Sequence, residues 1–91
     1  MLHLEEEVTI GELKATLVAQ VMGTKEGFDI EFIDTYDISY MGIEIKGYDN
    51  WNKFRKFHKE MGIDFDAEFN KKFDVIFTKE AVGEIVKDVK F

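Results

Sequence analysis

The side chains that could take part in chemistry here are mostly carboxylates. Asp29 and Glu31 alternate with apolar residues in "FDIEFID", and this alternation is typical of a half-buried strand. A strand would hold these two carboxylates on one face, about 6.5–7 Å apart. Asp34, Asp37 and Glu44 follow further along the chain. Carboxylates fixed in this way attract cationic groups and can resemble a row of phosphates, so these five residues form the predicted partner-binding face.

The same carboxylates have a simpler interpretation, as a solvated surface whose charge keeps the protein soluble. The chain of 91 residues has a net charge of −7, and the excess of acid lies in its first half. Residues 1–45 contain ten acids, among them the run Glu5–Glu7, and only two lysines. This distribution argues against non-specific binding of nucleic acid and favours partners that are themselves basic.

The sequence contains few residues of the types that carry out catalysis. The chain contains two histidines, one serine and no cysteine, which is too few for a nucleophile with an adjacent base. His58 is expected to be a packed or partly exposed histidine rather than a ligand or a base, and His3 lies near the terminus. No spacing singles out a carboxylate pair for acid–base work. Gly23 and Gly27 lack the pattern of a phosphate-binding loop. We predict no catalytic residues and no cofactor, and a small enzyme is the third hypothesis.

A calcium site is suggested by "DFDAEFN", where Asp64, Asp66 and Glu68 alternate as they do in an EF-hand loop. That loop also needs glycine at its sixth position and glutamate at its twelfth, where this chain has Phe69 and Val75. Acids at the start of a helix explain the pattern better, and no metal is predicted.

The basic residues of the chain are concentrated in "WNKFRKFHKEM". On a helical wheel its large apolar residues and His58 fill one arc of about 120°, facing a predicted core. The opposite arc is a basic strip, made of Lys53, Arg55, Lys56 and Lys59. Because the aromatic residues and the cations lie on different faces, the segment does not have the arrangement expected for direct nucleic-acid binding. The strip is instead a candidate docking surface for carboxylates.

These residues must be positioned by a small α+β domain with an antiparallel sheet, a β-hairpin plus one further strand, packed against amphipathic helices. "TIGE", with Thr9 and Glu12, fits a capping box for a helix over 10–22, although the same stretch also alternates as a strand. "FDIEFID" and "ISYMGIEIK" are predicted to pair as the hairpin through the polar link "DTYD".

Three further elements are predicted after the basic helix, which Asp49 or Asn50 could cap. Phe65, Phe69 and Phe73 recur every four residues and indicate a short helix begun by Asp64 or Asp66. "FDVIFT" follows as a strand, and Thr78 then caps a last helix over 79–90. The predicted element order is therefore α-β-β-α-α-β-α.

The chain is expected to form one domain, residues 1–91, because it contains no proline and no flexible linker. Its first residues lack the features of a signal peptide, and no apolar run is long enough to span a membrane, so a cytoplasmic location is expected. The absence of cysteine excludes disulfides and thiolate metal sites.

The leading functional hypothesis is a non-enzymatic module whose acidic face binds a basic protein. One instance of this class is an inhibitor of a nucleic-acid-binding protein, acting as a DNA mimic in the manner of a phage anti-defence factor. The alternative is a structural or assembly protein that self-associates, with the basic strip of one copy against the acidic half of another. That contact would be heterologous and would have to close into a ring or continue as a filament.

Overall fold

The computed structural model describes residues 1–24 and 26–88 as four strands followed by three helices. This arrangement confirms the α+β class. The strands are β1 (Leu2–Ile10), β2 (Leu13–Thr24), β3 (Gly27–Tyr40) and β4 (Ile43–Glu44). The helices are α1 (Tyr48–Glu60), α2 (Phe65–Ile76) and α3 (Lys79–Val86).

The strands form one antiparallel sheet in the order β1-β2-β3-β4, so each strand pairs with the one that follows it in the chain. Strand β2 is central, and its alternate side chains are at most 1% exposed. They are Leu13, Ala15, Leu17, Ala19 and Val21. Because side chains alternate across a strand, these residues define the inner face of the sheet, which packs against the helices.

Strand β3 is longer than its partner requires, and its extra residues are taken up as two irregularities in the register with β2. One lies between the pairs made by Val18 and Ala19, and the other between those made by Lys14 and Thr16. At the second, Asp37 adopts a φ of 51°, a left-handed conformation that aspartate tolerates better than most residues. Bulges of this kind increase local twist and curl the sheet around the helices.

The helical layer is anchored by a column of phenylalanines. Phe65, Phe69, Phe73 and Phe77 recur every four residues along α2 and its C-terminal end, and each is at most 8% exposed. The Phe73 ring stacks on Phe32 of β3, with ring centroids 4.8 Å apart and planes 7° from parallel. The column therefore joins the helices to the inner face of the sheet.

The remaining helices extend this layer along the sheet in both directions. From α1, Phe54 contacts Tyr40 of β3, with ring centroids 5.0 Å apart, and Trp51 packs on Phe65 of α2. From α3, Val82 and Val86 are buried. The Lys79 ammonium group at the start of α3 lies over the Phe28 ring and bonds to the Phe28 carbonyl.

The predicted helix over 10–22 is wrong, because this segment is the turn after β1 and the central strand β2. Thr9 pairs with Lys14 across a tight hairpin, and Gly11 in the turn has a φ of 58°. The capping-box pattern of Thr9 and Glu12 is therefore coincidental. A central strand gains backbone hydrogen bonds on both sides and buries its alternating residues, and this outweighs one favourable cap. Strand β1, which pairs with it, was missed.

The predicted hairpin is also wrong in its turn. The link "DTYD" lies inside β3, and the chain turns instead at Met41 and Gly42, which both have positive φ angles. The predicted strand "FDVIFT" continues α2 to Ile76, because Phe73 and Phe77 extend the four-residue repeat. The element order is thus β-β-β-β-α-α-α rather than α-β-β-α-α-β-α.

The three other helical predictions are confirmed with small changes. The basic helix begins after Gly47 rather than at a side-chain cap from Asp49 or Asn50. Asp64 caps α2 by accepting from the Ala67 N–H at 3.2 Å, and Thr78 caps α3 in the same way. The last helix ends at Val86, earlier than the predicted end at residue 90, which itself lies outside the described residues.

Candidate functional site

The outer face of the sheet is the surface that the helices leave open. Register places Glu5 of β1, Val18 of β2 and Asp34 of β3 side by side on this face. The neighbouring row contains His3, Gln20 and Glu31, and Asp29 pairs with Met22 in the row beyond. We call the carboxylates on the outer face of the sheet the acidic face. All of them are exposed: Glu5, Glu7, Asp29, Glu31, Asp34, Asp37 and Glu44.

The sheet brings together all five acids predicted for the partner-binding face. Asp29, Glu31 and Asp34 follow one another along β3, and Glu44 joins them because it pairs with Ser39. Asp37 lies at the rim, in the bulge.

The sheet also adds two carboxylates that were not in the predicted set, Glu5 and Glu7 from β1. They alternate with Leu4 and Val8, whose side chains face inward. The segment "LHLEEEVTI" alternates well enough to have indicated a strand. Because that segment was expected to be a terminus before a helix, its acids were counted as charge and not placed on a face.

Tyr36 of β3 and Glu5 of β1 lie near each other on the acidic face, on either side of β2. Interaction of the Tyr36 hydroxyl with the Glu5 carboxylate raises the pKa of Tyr36 to about 12. Partial burial and the negative charges of Glu5, Asp37 and Asp34 act in the same direction. The two residues lie on either side of β2, where Val18 is only 7% exposed although it lies outside the helix-facing core.

Among the residues that the structure describes, positive charge on this face lies at one end of it. Within the described residues of the strands, only Lys14 places a cation on the outer face, in the row of Ser39 and Glu44. Lys46, in the link after β4, pairs with Glu44 at 3.8 Å, and both side chains are more than half exposed. The three rows that contain Glu5, Glu31 and Asp29 therefore carry negative charge that no described cation of the strands offsets.

The basic strip is only partly free. Arg55 bonds to the Asp66 carboxylate at 3.1 Å and to the Asn52 side chain at 2.6 Å, so it holds α1 against α2. Lys53, Lys56 and Lys59 are exposed. Because α1 packs inward through Trp51, Phe54 and His58, the three lysines lie on the side of the molecule away from the acidic face.

The residues weighed for metal binding have structural roles. Asp64 caps α2, Asp66 pairs with Arg55, and Glu68 pairs with Lys71 at 3.5 Å. Within residues 1–24 and 26–88, no three potential ligand side chains come together in a way that could hold a metal ion.

His58 is buried among aromatic rings. Its Nδ1 donates to the Phe54 carbonyl at 2.9 Å, and its ring lies 5.4 Å from Tyr40 and 5.3 Å from Phe65, measured between centroids. It is 7% exposed and serves the packing of α1 on the sheet. His3 lies instead on the open face of the sheet, in the row of Gln20.

No known protein family matches the chain, and neither a curated protein nor a solved structure is detectably similar to it. None of the helices in the described part of the chain is long and apolar enough to cross a membrane.

Proposed function

We propose that this protein is a non-enzymatic binding module whose acidic face engages the basic surface of another protein. The observation that supports it is the convergence of carboxylates from β1, β3 and β4 on the open face of one sheet. A sheet holds such groups at fixed spacings, so little conformational entropy is lost when a cationic partner binds.

The charge density of the face is consistent with mimicry of nucleic acid. The rows from Asp29 to Ser39 extend over about 30 Å at strand rise, which gives roughly one carboxylate per 4 Å. One DNA strand presents a phosphate about every 3.4 Å, and the duplex presents one about every 1.7 Å. These carboxylates are spread over three strands, so the face matches a phosphate row in charge per length but not in single-file arrangement. An inhibitor of a nucleic-acid-binding protein, of the phage anti-defence type, is the instance that we propose.

The experiment compares two triple variants that remove the same charge from different surfaces. The first neutralises the face with Asp29→Asn, Glu31→Gln and Asp34→Asn. The matched control, Glu60→Gln, Asp74→Asn and Glu80→Gln, neutralises exposed acids on the three helices. Each protein is immobilised and used to capture partners from a lysate of the source cells, with mass spectrometry as the readout.

The expected result is that wild type and the helix variant retain one basic protein that the sheet variant loses. Binding of that protein should also weaken as salt is added, because exposed charges are screened. If the sheet variant retains the same partners as wild type, the acidic face does not carry the function.

Self-association is the second candidate, and one observation favours it. Phe57 and Met61 of the α1 segment are 57% and 56% exposed, beside the lysines of the basic strip. Burial of these two side chains against a second copy would be favourable, and the strip could meet the acidic face of that copy. Sedimentation velocity at low and high salt tests this candidate, since a monomer at every salt concentration would exclude it.

A further inference from the structure

A cleft opens where β4 leaves β3. β4 has two residues, and beyond it the Ile45 N–H still bonds to the Ile38 carbonyl at 2.8 Å. Gly47, with a φ of 87°, then turns the chain into α1. The space between residues 35–38 and 44–48 is a cavity of about 400 Å³. Binding cavities for small groups begin at about 300 Å³, so a partner side chain with part of its backbone could enter.

One wall of the cleft is aromatic. Trp51 lines it and is held from behind by Phe54 and Phe69, each with its ring centroid 5.9 Å from that of Trp51. Tyr48, nearly one helical turn earlier, also lines the cleft and is 77% exposed. The face of an indole attracts cations, and most often a guanidinium group.

Carboxylates stand on two sides of the same cleft, Asp37 from β3 and Glu44 from β4. The bulge in β3 turns Ile38 into the core, where it is 7% exposed, and leaves Asp37 exposed at the opening. The cleft therefore combines a fixed aromatic surface with negative charge from two different strands.

A cation of the chain itself already lies beside this cleft. Lys46 lines it and pairs with Glu44 at 3.8 Å, with side chains 78% and 58% exposed. An ion pair this exposed contributes little to stability, so a better-fitting cation can displace it.

From this arrangement we propose that the cleft binds an arginine side chain of the basic partner, with its guanidinium against Trp51 and between Asp37 and Glu44. The inference rests on the proposed function, which supplies a basic protein as partner. Arginine fits better than lysine because its planar group stacks on aromatic rings and offers several donors to carboxylates. A lysine ammonium group is more strongly hydrated and gains less from the indole.

Trp51 is the only tryptophan of the chain, so its fluorescence reports occupancy of the cleft. The full-length protein is titrated with three acetylated, amidated pentapeptides that differ only in a central arginine, lysine or citrulline. Citrulline keeps the shape of arginine but has no charge. The arginine peptide should give a saturable change in fluorescence with the lowest Kd, and the citrulline peptide should bind roughly tenfold more weakly or not at all.

Substitutions then locate the site. Asp37→Asn keeps a residue that tolerates a positive φ and removes only the charge, so it should weaken the arginine peptide roughly tenfold without unfolding the bulge. Asp74→Asn is the matched control, since it makes the same change on an exposed residue of α2 that does not line the cleft, and it should leave the Kd unchanged. Lys46→Gln should tighten binding, because it removes the competing cation.

Equal binding of the arginine and citrulline peptides, or of the arginine and lysine peptides, would overturn the assignment. So would equal effects of Asp37→Asn and Asp74→Asn. If the cleft fails these tests while the neutralised sheet still loses its captured partner, the proposed function stands and only the arginine site falls. If the cleft passes these tests and the neutralised sheet keeps its partner, the arginine site stands and the proposed function falls.

Discussion

Tyr36 of β3 and Glu5 of β1 interact across the central strand of the sheet, and the Glu5 carboxylate is the largest cause of the raised pKa of Tyr36. Both residues point to the open face, and Val18 of β2 is buried beside their contact although no helix covers it. The pair therefore joins the two strands that carry most of the acidic face. It also introduces a weakly acidic hydroxyl into a row of carboxylates, which determines how this face responds to high pH.

The first prediction concerns the titration of this tyrosine. The pKa of Tyr36 is raised from 10.0 to about 12, so its proton is held more tightly in the folded protein than in the unfolded chain. The stability that this proton contributes is complete below about pH 10 and is lost as the pH rises towards 12. Tyrosinate absorbance should show a component near pH 12 that Tyr36→Phe lacks.

The stability gap between wild type and Tyr36→Phe should likewise narrow across that pH range, as measured by urea denaturation. Tyr48→Phe is the control, since Tyr48 is 77% exposed at the start of α1. A component near pH 12 that persists in Tyr36→Phe would contradict the raised pKa of Tyr36.

The second prediction uses two glycines that flank the β2–β3 turn. Gly23 has a φ of 123°, and a Cβ there would lie 2.4 Å from the Gly27 carbonyl oxygen. Gly23→Ala should therefore destabilise the protein by about 1–3 kcal/mol or more, because both the backbone conformation and the contact are unfavourable. Gly27→Ala is the matched control, since a Cβ there meets nothing within 4 Å. Equal urea midpoints for the two variants would show that Gly23 has neither this backbone conformation nor this close approach to Gly27.

Strand β2 shows why part of this fold could not be predicted from the sequence. Its segment carries both a helix-capping pattern and the alternation of Leu13 to Val21, and local chemistry alone does not rank the two. The choice depends on β1 and β3, the segments directly before and after β2, which supply backbone partners that the segment itself does not contain. By contrast, the phenylalanine repeat from Phe65 predicted α2 because a helix satisfies that spacing within one segment.

The acidic face was predictable to a similar degree. Asp29, Glu31 and Asp34 belong to one strand, so local alternation was enough to place them on one surface. Glu5 and Glu7 reach that surface only through the pairing of β1 with β2, a contact between segments whose secondary structure had not been recognised. The cleft could not be predicted either, because it depends on where β4 separates from β3.

The third prediction compares the contributions of two phenylalanines of α1, Phe54 and Phe57, to stability. The helical wheel placed both Phe54 and Phe57 on the core side, but Phe57 is 57% exposed while Phe54 contacts Tyr40 and Phe65. Phe54→Ala should cost about 3 kcal/mol in the free energy of unfolding, and Phe57→Ala less than about 1 kcal/mol. Urea denaturation measures both. A large loss for Phe57→Ala in a monomeric sample would mean that α1 is rotated relative to the sheet.

The fourth prediction concerns Arg55, which the sequence assigned to the basic strip and which the fold uses to join α1 to α2. Its guanidinium lies 3.1 Å from Asp66 at the first turn of α2, and the two side chains are 33% and 56% exposed. An ion pair this exposed should show a coupling energy of about 0–1 kcal/mol in a double-mutant cycle of Arg55→Gln and Asp66→Asn, decreasing as salt is added. Lys56→Gln, combined with Asp66→Asn as a control cycle, should show no coupling. If Arg55 and Asp66 show no coupling at low salt, Arg55 belongs to the free basic strip. The case for self-association is then stronger.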